Sequence, residues 1–132
     1  MKKVLLIIFL ALAIFLISCS PQQEVQEDIG PSKWDSFAKC LNQNGLKMYG
    51  QYTCGICNKQ RELFGPSFRF VGEIECHPKG ENPQTQLCLE RDIAKTPTWL
   101  LEKDGEVVDR LEGFQPLEIL SEVSGCPLEE SS

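Results

Sequence analysis

Cys54 and Cys57 stand two residues apart in YTCGICNKQ, residues 52–60. Two thiols at that spacing have three chemistries open to them: reversible disulfide exchange, half of a metal site, or a short structural disulfide. Exchange needs one sulfur as a thiolate and a second close enough to resolve the mixed disulfide. A helix that starts just after Cys54 meets both needs. The free amides and partial positive charge of its first turn favour a thiolate there, and Cys57 is held one turn inside. On that arrangement Cys54 is the nucleophile and Cys57 the resolving thiol. Zinc would need further ligands. Cys76 and His77 are conceivable, but Cys76 and Cys88 stand too far apart to make the second close pair that zinc sites use. No metal is expected, and His77 reads as an ordinary surface histidine.

What the other five cysteines do depends on where the chain lives. Lys2 and Lys3 precede an uninterrupted apolar run, Val4 to Ile17, which ends at Ser18 and Cys19. A charged start, a short apolar stretch and a small residue at its exit form the pattern of a secretory signal. A membrane-spanning helix needs about 20 apolar residues, more than this run holds. LISC, residues 16–19, resembles the lipobox of bacterial-type lipoproteins, in which cleavage precedes a cysteine that then carries lipid. An uncleaved anchor, with Cys19 an incidental thiol, would tether the domain as well. Seven cysteines is an odd count for an exported chain. Assigning Cys19 to lipid leaves six, Cys40, Cys54, Cys57, Cys76, Cys88 and Cys126, which an oxidising compartment allows to pair completely. Of these, Cys54 and Cys57 are most simply a pair of their own.

A length of 132 residues, 42% of them hydrophobic and 24% charged, suits one domain. Without Lys2 and Lys3 the chain carries a net charge near −8. Nucleic acid is therefore a poor partner, and proteins are better ones. Residues 20–31, SPQQEVQEDIGP, are polar and acidic between prolines and read as a solvated tether. The expected division is a signal peptide at 1–18, a lipidated cysteine and tether at 19–31, a folded domain at 32–127, and a disordered tail at 128–132.

Within the domain, Ser32 stands where it could cap a helix that carries Trp34, Phe37, Ala38 and Leu41 on one face and stops in 42–45. A short strand follows at 46–50, then a helix after the cysteine pair that stops at Gly65–Pro66. Alternation over 68–77, broken at Gly72, reads as a strand, and a helix is expected from about Thr85 to Ala94. Strands 98–103 and 106–113 flank a turn at Asp104–Gly105, and a last helix lies near Pro116 to Val123. A cysteine pair at a strand-to-helix junction in this order is thioredoxin-like. The expected class is α/β, a central mixed sheet flanked by helices, with an extra N-terminal helix. There is no phosphate-binding glycine loop, and the chemistry requires no cofactor.

KTPTW, residues 95–99, places a proline directly before a strand. It resembles the cis-proline of thioredoxin folds, where the preceding backbone is free to pair with a bound peptide. Thr96 and Pro97, taken as cis, would then form the wall opposite Cys54, with Gly55 and Ile56 beside it. Trp99 reads as core.

Together FAKCL, KMYGQYTCGICNKQRELFG, EIEC, QLC, TPTW and SGC resemble the thioredoxin-like domain that accompanies vitamin K epoxide reductase homologues. The resemblance covers about residues 34 to 126. It implies a thiol-disulfide oxidoreductase that exchanges disulfides with exported client proteins, partnered by a separate quinone-linked membrane reductase. It also implies a structural Cys76–Cys88 disulfide beside the active pair, which leaves Cys40 and Cys126 to join the first helix to the domain's end. A monomer held by its lipid on the outer face of the cytoplasmic membrane is expected. Two departures stand out. The family usually has Pro-His between the active cysteines, where this chain has Gly55–Ile56, and the missing histidine argues for a less oxidising pair. Thioredoxin proper carries a buried acid on the preceding strand, at a position that falls near Met48 here. Oxidase, reductase and isomerase share these parts and differ in reduction potential. The competing classes are a non-catalytic thioredoxin-like binding module and a metal-binding lipoprotein.

Overall fold

Phe37, Ala38 and Leu41 recur at helical spacing, and a computed structural model, which describes residues 30–129, buries all three along one side of helix α1 (Asp35–Gln43). The expected signal peptide at 1–18, Cys19, the expected tether up to residue 29, and residues 130–132 lie outside the described residues. Ser32 supports α1 with its backbone and not its hydroxyl. Its N–H donates to Asp35 Oδ2 (3.1 Å) and its carbonyl accepts from the Asp35 amide (3.0 Å). The helix stops at Asn44, and Gly45 turns the chain at φ +85°. A side chain there would meet the Glu102 carbonyl, so only glycine lets the first turn approach the sheet this closely.

Strand β1 (Leu46–Gly50) runs through the middle of a four-stranded sheet of order β2-β1-β3-β4. Helix α2 (Gly55–Phe64) follows β1, and a 3₁₀ helix (Gly65–Phe70) leads into β2 (Gly72–Glu75), which lies parallel to β1. After helix α3 (Thr85–Glu90), strand β3 (Thr98–Lys103) pairs antiparallel with β1. Asp104 and Gly105, both at positive φ, turn the chain into β4 (Glu106–Glu112) as the two centres of a tight hairpin. Helix α4 (Leu117–Ser124) starts after Pro116 and ends at left-handed Gly125. This is the mixed sheet flanked by helices, with its additional first helix, that the element order predicts.

Three boundaries differ from expectation. Residues 68–70 belong to the 3₁₀ helix and not to a strand. Pro66 presets a helical φ, and buried Ser67 accepts the Trp34 amide on its Oγ (3.1 Å), which ties the segment to α1. Gly72 begins β2 opposite Lys47 instead of breaking a strand. Helix α3 ends at Glu90 because Asp92 turns left-handed, at φ +51°.

Strand alternation sends side chains to two faces. Leu46, Met48, Trp99 and Leu101 meet Phe37, Leu41, Phe64 and Leu120 on one side; Tyr49, Ile74 and Leu100 pack with Cys76 and Cys88 on the other. Phe64 stacks on Phe37 (centroids 6.1 Å apart) and leans on Trp99 (6.2 Å). Disulfides join Cys40 to Cys126 (Cα–Cα 5.9 Å) and Cys76 to Cys88 (5.8 Å).

On the second face Glu102 gathers three partners: the Tyr49 hydroxyl (2.7 Å), Lys47 Nζ (3.0 Å) and Arg91 Nε (2.8 Å). Burial opposes its ionisation, but these hydrogen bonds prevail and lower its pKa from 4.5 to about 2. A carboxyl lowered on folding stabilises the fold above its unfolded pKa and loses that contribution as pH falls through the folded one. Thermal unfolding of Glu102→Gln is therefore expected to show a loss of about 2 kcal/mol at pH 7. Its deficit against the parent chain should shrink between pH 4.5 and about 2. A deficit that stays constant across that window would exclude the linkage.

Candidate redox site

β1 ends at Gly50, three residues of turn follow, and Cys54 becomes the N-cap of α2. Its extended backbone (φ −82°, ψ 114°) turns the side chain over the first turn, where Sγ accepts the Cys57 N–H at 3.1 Å. A sulfur thus takes the place that a capping oxygen usually fills. Both sulfurs are free thiols in the structure, Cys54 half-buried and Cys57 fully buried, while the other four described cysteines are disulfide-bonded.

Burial works against the Cys54 thiolate. Hydrogen bonds from the Cys57 and Thr96 side chains and from the Cys57 and Ile56 amides outweigh it and hold the thiol below its ordinary value. For Cys57 burial leads and the neighbouring Cys54 sulfur adds to it, so its pKa is pushed up to about 11. One environment therefore separates two chemically identical groups into a half-buried thiol shifted toward the acid side and a fully buried one shifted toward the basic side.

The facing wall comes from the loop before β3. Cys54 Sγ lies 3.4 Å from the Thr96 carbonyl oxygen, within range of S–H donation, and the Thr96–Pro97 peptide is cis. The Pro97 carbonyl accepts the Gly113 amide (2.7 Å), which fastens the wall to the loop after β4. Gly55 is exposed, and so are Ile56, Tyr52 and, beyond Gly113, Phe114. Trp99 is fully buried in the core. His77 sets its ring edge-on to Tyr52 (5.1 Å), with Nδ1 accepting the Lys79 amide. Among the described residues no group of three or more His, Cys, Asp or Glu side chains is placed to hold a metal ion.

Three positioning residues are absent from the sequence reading. Gln60, fully buried, clasps Gln115 through both ends of its amide, Nε2 to the carbonyl (3.0 Å) and Oε1 from the N–H (2.8 Å). This bolts α2 to the loop beside Pro97. Glu75 accepts the Tyr52 amide (2.9 Å) and the His77 amide (2.6 Å), which fixes the turn leading to Cys54. Glu73 pairs with Arg61 of α2, both of its oxygens accepting from Nε (3.2 and 3.3 Å). A helical glutamine and alternating strand glutamates look like surface residues in a sequence. The helix-to-sheet crossing alone brings them to the site.

Alkylation of the reduced protein with iodoacetamide, read peptide by peptide, is expected to show Cys54 titrating below the roughly 8.5 of a free cysteine. Cys57 should stay unmodified until the pH nears about 11. Two cysteines titrating together near 8.5 would contradict this assignment.

No family model matches the chain. The thiol-disulfide oxidoreductase LTO1 of Arabidopsis thaliana is 33% identical over 101 residues, covering 74% of this chain and 26% of that protein. A chloroplastic thioredoxin of Oryza sativa subsp. japonica is 24% identical over 101 residues, and the chain covers 58% of it. The chain thus spans about a quarter of the first relative and under two thirds of the second. The thioredoxin of Staphylococcus haemolyticus is 36% identical over 87 residues, which cover 61% of this chain and 81% of that protein. Among solved structures, Fasciola hepatica thioredoxin superposes with a TM-score of 0.46 at 18% identity, covering 69% of this chain and 91% of that one. Malassezia sympodialis thioredoxin gives 0.48 at 17%, covering 76% and 97%. At 36% identity over 81% of the Staphylococcus haemolyticus thioredoxin, the chain belongs to the thioredoxin family.

Proposed function

We propose that this protein is a membrane-tethered, extracytoplasmic thiol-disulfide oxidoreductase acting on client proteins through Cys54 and Cys57. The observation that carries the proposal is the asymmetry of the pair: an accessible, acid-shifted thiol at a helix N-terminus, directly over a buried, base-shifted one. The Cys54 thiolate attacks a client disulfide, and one client sulfur leaves as a thiolate. Cys57, once deprotonated, attacks Cys54 Sγ, closes the Cys54–Cys57 disulfide and releases the second client thiolate. Run backwards, the same two steps oxidise a client dithiol. Thr96, Pro97, Gly55 and Ile56 form the surface on which a client segment lies, and the LTO1 relative bears the name of this activity. Export and anchoring rest on the Val4–Ile17 run and the LISC segment that ends at Cys19. A separate membrane reductase of the vitamin K epoxide reductase type rests on the motif resemblance.

In cells, a Cys57→Ala variant should accumulate mixed disulfides linked through Cys54, visible as reducible bands on gels. Their absence would remove the enzyme reading and favour a binding module, for which Cys54→Ser leaves partner capture intact. Gly55–Ile56 sets the working direction. Ile56→His places an imidazole beside Cys54, favours its thiolate and is expected to raise the reduction potential by about 30 mV, a tenfold change in the exchange constant. Equilibration with glutathione measures it, and an unchanged potential would remove position 56 from that role.

A further inference from the structure

Cys57 has no accessible surface, and burial keeps it protonated at neutral pH. The second exchange step nevertheless needs its thiolate, so the proton must have a way out. The acid-bearing strand position of thioredoxin proper offers none here, since Met48 occupies it and is fully buried. The register supplies another carboxyl. Glu73 of β2 stands beside Met48, on the face of the sheet that α2 covers. Two residues on, Gly50 leaves a notch. A first side-chain carbon at Gly50 would lie 3.0 Å from Glu73 Oε1 and 3.5 Å from Cys57 Sγ. The carboxylate and the thiol therefore border the same notch, which Met48 Cε also lines at 3.1 Å, and they stand no farther apart than those two distances laid end to end, a span that one water molecule would bridge. Beyond Glu73 lies an open cavity of about 390 Å³, lined also by Tyr52, Arg61 and Glu75. The ionisable groups on this side are Cys54 at the N-cap of α2, Arg61 from α2, Glu73 and Glu75 from β2, and Tyr52 and Glu81 from the loops that line the same cavity. Arg61 holds the Glu73 carboxylate, and Glu75 is engaged by the Tyr52 and His77 amides.

We infer that Glu73, reached across the Gly50 notch, is the proton relay for Cys57 in the resolving step. The proposal rests on the oxidoreductase function above. Cys57 Sγ–H gives its proton to the bridging water as that water passes one to a Glu73 oxygen. The Cys57 thiolate bonds to Cys54 Sγ while the Cys54–client S–S bond breaks, and the client sulfur leaves with the bonding electron pair. Glu73 returns the proton to solvent in the cavity. Arg61 orients the carboxylate.

Glutathione disulfide is the probe, mixed with the full reduced protein and quenched in acid, so that mass spectrometry follows formation and decay of the glutathione adduct on Cys54. In Glu73→Gln that adduct is expected to persist about 10²-fold longer at pH 7. Its decay should speed up about tenfold per pH unit from 6 to 9, as hydroxide takes over, whereas the parent chain changes less steeply. Glu73→Asp should recover part of the rate. Gly50→Ala, which fills the notch while keeping both Glu73 and Arg61 in the chain, should behave like Glu73→Gln, and circular dichroism checks that each variant is folded. Parallel pH profiles in Glu73→Gln and the parent chain, or parent-like decay in folded Gly50→Ala, would overturn the relay alone. An adduct that never forms in the parent chain or in Cys57→Ala would overturn the oxidoreductase function and the relay with it.

Discussion

One hydrogen bond organises the site: the Cys57 amide donating to Cys54 Sγ at the start of α2. It stabilises an anion on one sulfur and fixes the other a single turn away, so chemistry and geometry come from the same contact. That contact is only as firm as the seat of α2. Phe64 anchors the far end of the helix against Phe37 and Trp99, and Gln60 ties its middle to the loop after β4. The Cys54 sulfur therefore keeps its distance from the Thr96 carbonyl, because α2 and the Pro97 loop are both tied to the same strand-end loop.

The sheet divides the work between its faces. The side under α2 carries the thiols and, at its edge, the Glu73–Arg61 pair, whereas the opposite side is closed by the Cys76–Cys88 disulfide and the cluster around Glu102. Glu102 draws on β1, β3 and the end of α3, so it holds the sheet together without adding charge near the reactive sulfurs. Central β1 belongs to both faces. Its alternation sends Met48 toward α2 and Tyr49 toward Glu102.

Much of this was legible in the residues. The cysteine pair, the proline before β3 and the order of elements follow from spacing, periodicity and turn residues, all of which are local. The 3₁₀ helix at Gly65–Phe70 was not, because Phe68 and Phe70 alternate as a strand would, and only the tie from Ser67 to Trp34 decides against one. The total of six pairable cysteines could be counted, but the partners of Cys76 and of Cys40 lie across the fold, and counting alone does not identify them. Gln60 and Glu73 were the least visible. Their partners, Gln115 and Arg61, come from other elements, and nothing local to a buried glutamine or a strand glutamate announces the crossing.

The Cys40–Cys126 link spans 86 positions and Cys76–Cys88 lies wholly inside that span. The chain is thus a small ring nested in a large one. A protease that nicks the exposed stretch around residues 78–83 cuts within both rings, and the two fragments stay covalently joined. That topology turns a severed backbone into a survivable injury: every element that seats the reactive pair remains attached to the molecule.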